Sequence, residues 1–578
     1  MDNDPKSYDD IERSETVASR DGAIMGAMAS TGPRVSDYAR TAINRTQARS
    51  VVMTTGGIAA SEHPLASQAG ASVLAQGGNA IDAAVAVNAV MGVVAPMMNG
   101  IGGDLFAIVY DASDGTLHGL NGSGRAPSGL SIDSLSARGV VAMPQTGIHS
   151  VTVPGAVAAW ATLIDRFGRL QLSDVLSSAI QIADEGFPVS EITAAEWTSA
   201  EALLRVDREA ARVFLPNGRA PRVGEVFRNP DLAASYRAIA FEGRDAFYRG
   251  DIARRIAACS RGHDDALGLE DLDTHDTEWV RPISTTYRGW DVYELPPNGQ
   301  GIAALMMLNL LEQSPIGSYG HNSVEALHAL IEAKKLAYAD MATHVCDPAF
   351  HEIPVEALLS KSYAARRARE IDPAVASPEV CAGDLSQGGD TTYLSVVDRD
   401  GNMVSLIQSN FANFGSGVVP QGVGFALQSR GGLFSLDPAH PNALAPRKRP
   451  LHTIIPGFMA KGDVRIAFGI MGGWNQSQAH AQFVSNVVDH RMNIQAALEA
   501  ARVTKLTFTG NDVIVESRVS DAVRRGLEAK GHELDVQGDF SSLVGGGQSV
   551  MRDFASRVNF GASDPRKDGA AVPEPVVA

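Results

Sequence analysis

The sequence predicts an α+β chain, and three features predict it. Leu105–Tyr110 and Leu117–Leu120 flank Asp114-Gly115 and read as one antiparallel hairpin. The segment TTYLSVVDRDGNMVSLIQS, from Thr391 to Ser409, reads as a second, with two β-branched strands around Asp400-Gly401. Between them, residues 155–380 are mainly helical in pattern.

The elements follow in order. Residues 1–50 are polar with weak periodicity and read as a mostly disordered extension. Val51–Thr54 reads as a strand. Pro64–Gln76 reads as a helix stopped by Gly77-Gly78, and Asn79 can cap the next one. That next helix covers the most apolar window, Ala80 to Val94. The window contains Asp82 and Asn88 and is too short and too polar for a membrane span, so it reads as a buried core helix. Asn99-Gly-Ile-Gly-Gly-Asp104 is a glycine-rich turn into the first hairpin. In the helical middle, Ala156–Phe167, Leu172–Glu185 and Val324–Ala342 are the clearest helices. One strand, Trp290–Leu295, enters there and ends at Pro296-Pro297-Asn298-Gly299. Residues 371–390, small, polar and broken by Pro and Gly, should be exposed and mobile. After about residue 562 the pattern reads as a loose tail.

Composition narrows the function. The chain has 578 residues, 44% hydrophobic and 20% charged, with no rich internal linker, so one large unit with a substantial core is expected. The net charge of −17 without a long basic run argues against nucleic acid and anionic membrane partners. Cys259, Cys346 and Cys381 are odd in number and widely spaced, which favours a reduced, cytoplasmic setting over a disulfide framework. The N-terminus lacks a basic segment followed by an apolar one, so no secretory signal is read. No His/Cys pair has zinc-ligand spacing, so neither a metal nor a cofactor is expected.

The chemistry centres on Gly388-Gly-Asp-Thr-Thr392, a loop that ends where a strand begins. A threonine hydroxyl is a weak nucleophile and needs a base. Inside the chain Thr391 has only an amide nitrogen, which accepts no proton. If Asp390–Thr391 opens, Thr391 gains an α-amine that titrates at about 7.7–8.0, where a general base works best. Nucleophile and base then share one residue at a strand end. Such a sequence also fits an ordinary loop-to-strand junction.

From about residue 50 to 560 the sequence resembles the γ-glutamyltranspeptidase family. The matching pieces include GGNAIDAAVAV (77–87), NGIGGDLF (99–106), VPGAVAAW (153–160), PPNGQG (296–301), KKLAYAD (334–340), GGDTTYLSVVDRDGN (388–402), RKRPLHTIIP (447–456) and MGGW (471–474). NGSGRAP (121–127) and GGDTTY are similar to its cytoplasmic branch. The resemblance implies a four-layer αββα sandwich of the N-terminal nucleophile hydrolase type. It also implies self-cleavage into a larger subunit (51–390) and a smaller one (391–578) that stay together as a heterodimer and can dimerise further. Thr391 falls on the family's nucleophile. Gly472 and Gly473 fall on the glycines whose N–H groups form the oxyanion hole. Ser409 falls on a threonine that bonds the nucleophile.

The glutamate-binding set departs from the family. Ser123 stands where the carboxylate-binding arginine is expected. Arg125, two positions later, should point the same way about 7 Å further along if a strand continues there. Phe411, Arg430 and Leu433 replace an asparagine, a glutamine and an amino-group-binding aspartate. His452-Thr453 replace a serine pair, and Phe434–Arg449 is too short for the bacterial lid loop. Leu433 cannot accept from an ammonium, whereas Arg430 offers a fork for a carboxylate. The residues expected to meet substrate are therefore Arg430, Phe411, Arg125, His452 and Thr453, with a small carboxylate-bearing amide or N-acyl compound as partner. Three readings stay open: an amidase or acylase, a conventional γ-glutamyl transferase or glutathione hydrolase, and an unprocessed binding protein.

Overall fold

In the computed structural model, residues 47–264, 266–378 and 390–576 are described. Most of the expected N-terminal extension, and residues 379–389 of the expected mobile loop, lie outside them.

The second hairpin forms as its sequence dictates. Gly401 adopts φ 96°, and the carboxylate of buried Asp398 accepts from the amides of Asp400, Gly401 and Asn402 at 2.9–3.0 Å. The paired strands are Asp390–Val397 and Met403–Phe411. They are the centre of a seven-stranded sheet. In spatial order it runs Ala570–Pro573, Ile58–Ser61, Asp390–Val397, Met403–Phe411, Asp104–Asp111, Thr116–Gly122, Glu278–Val280. A second seven-stranded sheet runs Val52–Thr54, Val558–Ser563, Gly547–Asp553, Val464–Ile470, Gly457–Lys461, Trp290–Glu294, Ile283–Tyr287. All pairings in both are antiparallel.

Phe106, Ile108, Tyr393, Ile407, Phe458, Ala467 and Val550 fill the space between the sheets. Helices cover both outer faces. The first sheet packs on Pro64–Ala75, Ala80–Val94 and Ala156–Phe167, the second on Gly301–Leu311, Val324–His344 and Gln476–Val488. The fold is thus an α+β, four-layer αββα sandwich of the N-terminal nucleophile hydrolase type.

The apolar window is a core helix, every residue of it buried, opened by a capping box between Asn79 and Asp82. Its one interior amide does structural work. Asn88 accepts from the Trp160 indole at 2.8 Å and donates to Gln408 at 3.3 Å. Gln408 in turn holds both backbone groups of Gly100, at 3.0 and 2.6 Å. This fixes the glycine-rich turn against the Met403–Phe411 strand. A Cβ on Gly103 would stand 2.3 Å from the Ser409 carbonyl oxygen, so only glycine fits there.

Three expectations need correction. The helix Leu172–Glu185 breaks at Leu176 into Leu172–Val175 and Ser177–Glu185. Residues 371–377 are fastened, not mobile: the Ala376 amide donates to the Lys530 carbonyl at 2.7 Å, and Lys335 donates to the Ser377 carbonyl at 2.8 Å. The tail after about 562 is not loose. Ala570–Pro573 pairs with Ile58–Ser61, and Arg566 lies fully buried on Glu516 and Asp564. Alternating small residues and paired charges hide such a segment from a hydrophobicity reading. Among the described residues no helix is long and apolar enough to cross a membrane.

Candidate active site

The Asp390–Val397 strand delivers Thr391 to the sheet's end, fully buried. Its register with Met403–Phe411 slips between Asp390 and Thr392, an irregularity that re-aims side chains at a strand end. The Thr391 hydroxyl donates to Ser409 Oγ at 3.3 Å and accepts from Gln476 Nε2 at 3.4 Å. Both bonds are long, and catalytic hydrogen bonds commonly tighten only with substrate.

Gln476 opens the helix Gln476–Val488, directly after the turn Gly473–Asn475. Gly472 and Gly473 hold φ 113° and 57°, a backbone that side chains rarely adopt. The turn is pinned from behind: Gln300 donates to the Gly473 carbonyl at 2.8 Å and to the Thr453 carbonyl, and Tyr338 donates to the Trp474 carbonyl. The structure therefore brings Thr391, Ser409 and the Gly472-Gly473 turn into one region. Gln476, three residues past Gly473, is the link that sequence reasoning missed.

A second group adjoins the first. Ser409 Oγ also accepts from the Phe411 amide at 2.7 Å. Phe411 sits at φ 77°, unusual for a bulky residue. Its ring carries the Arg430 guanidinium, 4.6 Å from the ring centroid. Arg430 is fully buried and donates from Nη1 to Thr453 Oγ1 at 2.6 Å. Among the described residues its Nε and Nη2 have no hydrogen-bond partner. Burial pulls its pKa down to about 9, opposed by Asp104. Asp104 is buried too. Burial raises it to about 7, against the pull of Arg430 and of hydrogen bonds from Gln428 and Gly124.

His452 completes this layer. Its Nε2 lies 3.0 Å from Asp104, its Nδ1 accepts from the Ile454 amide at 3.3 Å, and burial holds it well below its usual pKa. A neutral ring donating to Asp104 fits all three observations. His452 thus contacts the site through Asp104.

Arg125 does not join this group. The strand ends at Gly122, so the expected strand continuation fails. Its half-exposed side chain is taken up by Asp347 at 3.5 Å and the Arg447 carbonyl at 3.1 Å.

Among the described residues, Asp111, Asp114 and His118 could group around a metal near the surface, and one buried group lies elsewhere: His328 and His532, 2.8 Å apart, with Glu332. Residues 204 positions apart form it, beyond any spacing rule. The Lys335 ammonium already bonds Glu332 at 2.7 Å, which disfavours a dication there.

Known proteins match this arrangement along nearly its whole length. The profile of the gamma-glutamyltranspeptidase family covers residues 66–574. The glutathione hydrolase-like YwrD proenzyme of Bacillus subtilis is 40% identical, over 90% of this chain and 99% of its own. The oxamate amidohydrolase proenzyme of Klebsiella pneumoniae is 34% identical, over 90% and 98%. The crystal structure of cephalosporin acylase from Bacillus halodurans superposes with a TM-score of 0.86 and 42% identity, over 95% of this chain and 99% of that one. On the profile, the relatives and the shared sandwich alike, the chain belongs to the gamma-glutamyltranspeptidase family.

Proposed function

We propose that this chain is the precursor of an amide or acyl hydrolase that cuts itself at Asp390–Thr391 and then works through the new N-terminal threonine. The observation that carries the reading is the Thr391 hydroxyl, buried at a strand start between Ser409 and Gln476, beside the left-handed Gly472-Gly473 turn.

In the precursor the Thr391 hydroxyl attacks the Asp390 carbonyl and water opens the resulting ester. In the cut enzyme the α-amine takes the hydroxyl proton as Oγ attacks a substrate carbonyl. The N–H groups of Gly472 and Gly473 stabilise the oxyanion, and water releases the acyl group. The two subunits remain together, in a reduced, cytoplasmic setting.

Arg430 selects the substrate. A buried guanidinium with two unpaired N–H directions is costly by itself and is offset by a carboxylate. Leu433, buried, accepts nothing from an α-ammonium group, and the face of the buried Phe411 ring is already taken by Arg430. The reading is therefore a small carboxylate-bearing amide or an N-acyl compound. Relatives named as an oxamate amidohydrolase and a cephalosporin acylase support it.

Intact mass tests the first half: the 60.9 kDa chain should split at residue 391, and Thr391→Ala should stay whole. A γ-glutamyl anilide tests the second. Little release, with no gain from a dipeptide acceptor, is expected; fast, acceptor-stimulated release would instead favour a glutathione hydrolase or transferase.

A further inference from the structure

The turn that carries Gly472 and Gly473 is aimed by a residue that the reaction above does not use. Asn475 is fully buried and spends two donors on that turn. Its side-chain Nδ2 donates to the Met471 carbonyl at 3.0 Å, and its backbone N–H donates to the Gly472 carbonyl at 2.9 Å. Its Oδ1 has no hydrogen-bond partner among the described residues, so the amide is seated by its donor alone.

A trans peptide is planar, and its C=O and N–H point opposite ways. The Met471 carbonyl and the Gly472 N–H belong to one peptide. The Gly472 carbonyl and the Gly473 N–H belong to the next. Asn475 therefore grips both planes from the carbonyl side and turns both N–H groups away from itself. Among the described residues no backbone carbonyl takes either N–H. Successive N–H groups freed in this way form a concavity for an anion. The room for the Asn475 amide comes from Gly545, at φ 73°. A Cβ there would stand 2.1 Å from the Met471 oxygen and 2.7 Å from Asn475 Nδ2. The Met471 amide closes the frame by donating to the Gly546 carbonyl at 3.0 Å.

Resting on the reading that these two N–H groups meet the oxyanion, we propose that Asn475 is the positioning residue of the pair. It acts through the two glycine peptides. Its side chain governs the Gly472 N–H and its backbone governs the Gly473 N–H. A side-chain substitution therefore unfastens one donor and leaves the other held. Donors fixed in advance need no reorganisation as charge develops on the substrate oxygen. The contribution of Asn475 falls on the transition state and not on substrate binding.

The test is turnover of p-nitrophenyl acetate by the cleaved enzyme, a neutral probe that needs no contact with Arg430, with Thr391→Ala as the blank. Asn475→Leu keeps the shape and loses the donor. Its kcat and kcat/KM should fall together by about 10- to 100-fold, with KM within about twofold. A buried aspartic acid is neutral at low pH, where its O–H donates. The rate of Asn475→Asp relative to the parent should therefore climb from pH 8 to pH 5, while that of Asn475→Leu stays flat. An Asn475→Leu enzyme whose kcat stays within about twofold of the parent, or whose loss lies in KM, overturns the proposal. So does an Asn475→Asp enzyme that tracks Asn475→Leu at every pH. If Asn475→Leu fails to fold, Asn475→Asp decides alone. A variant that splits too slowly to assay is judged by the same ratios on its splitting rate. A parent that stays whole, or splits without turning the probe over, sinks the proposed function and this inference with it, so the two failures are told apart.

Discussion

The two sides of the candidate site are built from opposite materials. Among the described residues the Thr391 hydroxyl bonds neutral groups, a serine hydroxyl and a glutamine amide, the latter just past a glycine turn. Around Arg430, a few residues away, the interior holds Arg430, Asp104 and His452, all fully buried. Neutral groups can be exchanged between hydroxyls at little electrostatic cost. A buried guanidinium with unpaired N–H groups lowers stability unless something outside the fold meets it. On the proposed function, the contrast makes reaction and selection separable, with Phe411 and Ser409 as the seam between the two groups.

The largest expected effect breaks the neutral side. Thr391→Ala should abolish splitting and lower hydrolysis by at least about a thousandfold, read by intact mass and turnover. Thr391→Ser should still split.

On the charged side, Arg430→Met should raise KM for carboxylate-bearing substrates by about 10- to 100-fold, the value of a charge-assisted hydrogen bond. At pH 5, where Asp104 is protonated, its melting temperature should hold or rise, because a flexible apolar chain replaces a buried charge. An unchanged KM with a lower melting temperature would make Arg430 structural and erase the contrast.

A third prediction uses pH. Burial raises the Asp104 carboxyl from its ordinary 3.8 to about 7 in the fold. Its stabilising contribution is full below the unfolded value, where both states are protonated, and is lost as pH rises through about 7. Denaturant midpoints at pH 5 and pH 8 should differ more in the parent than in Asp104→Asn. An equal difference would remove Asp104 as the source.

The smallest effects sharpen the seam. Ser409→Ala should slow splitting by about tenfold, one modest hydrogen bond. Arg125→Ala should leave KM within about twofold, since its charge is spent on Asp347.

The sequence showed the parts governed by local rules. The Asp400-Gly401 hairpin, the Asn79 cap and the helix Ala156–Phe167 follow from turn chemistry, capping and periodicity. The strand start at Thr391 was legible because a loop-to-strand junction is local too, while the role expected of Thr391 rested on the family resemblance. The charged layer was only half legible. Arg430, Phe411, His452 and Thr453 stood out as departures from a family pattern, but Asp104, the anion facing Arg430, carried no signal. It meets His452 across 348 residues. Gln476 was missed for the same reason, and the φ of Phe411 has no sequence signature. The end of the chain misled because its stability comes from ion pairs that only the fold assembles, as in Arg566 with Glu516.

The strand Ile58–Ser61 lies between Asp390–Val397 on one edge and Ala570–Pro573 on the other. A cut before Thr391 would assign the middle strand to one product and both flanking strands to the other, like fingers of clasped hands. Pulling the products apart would tear two ladders at once, so neither piece has a finished sheet to fold alone. Separately made halves should be insoluble until mixed and refolded together, and the severed bond should cost almost no thermal stability.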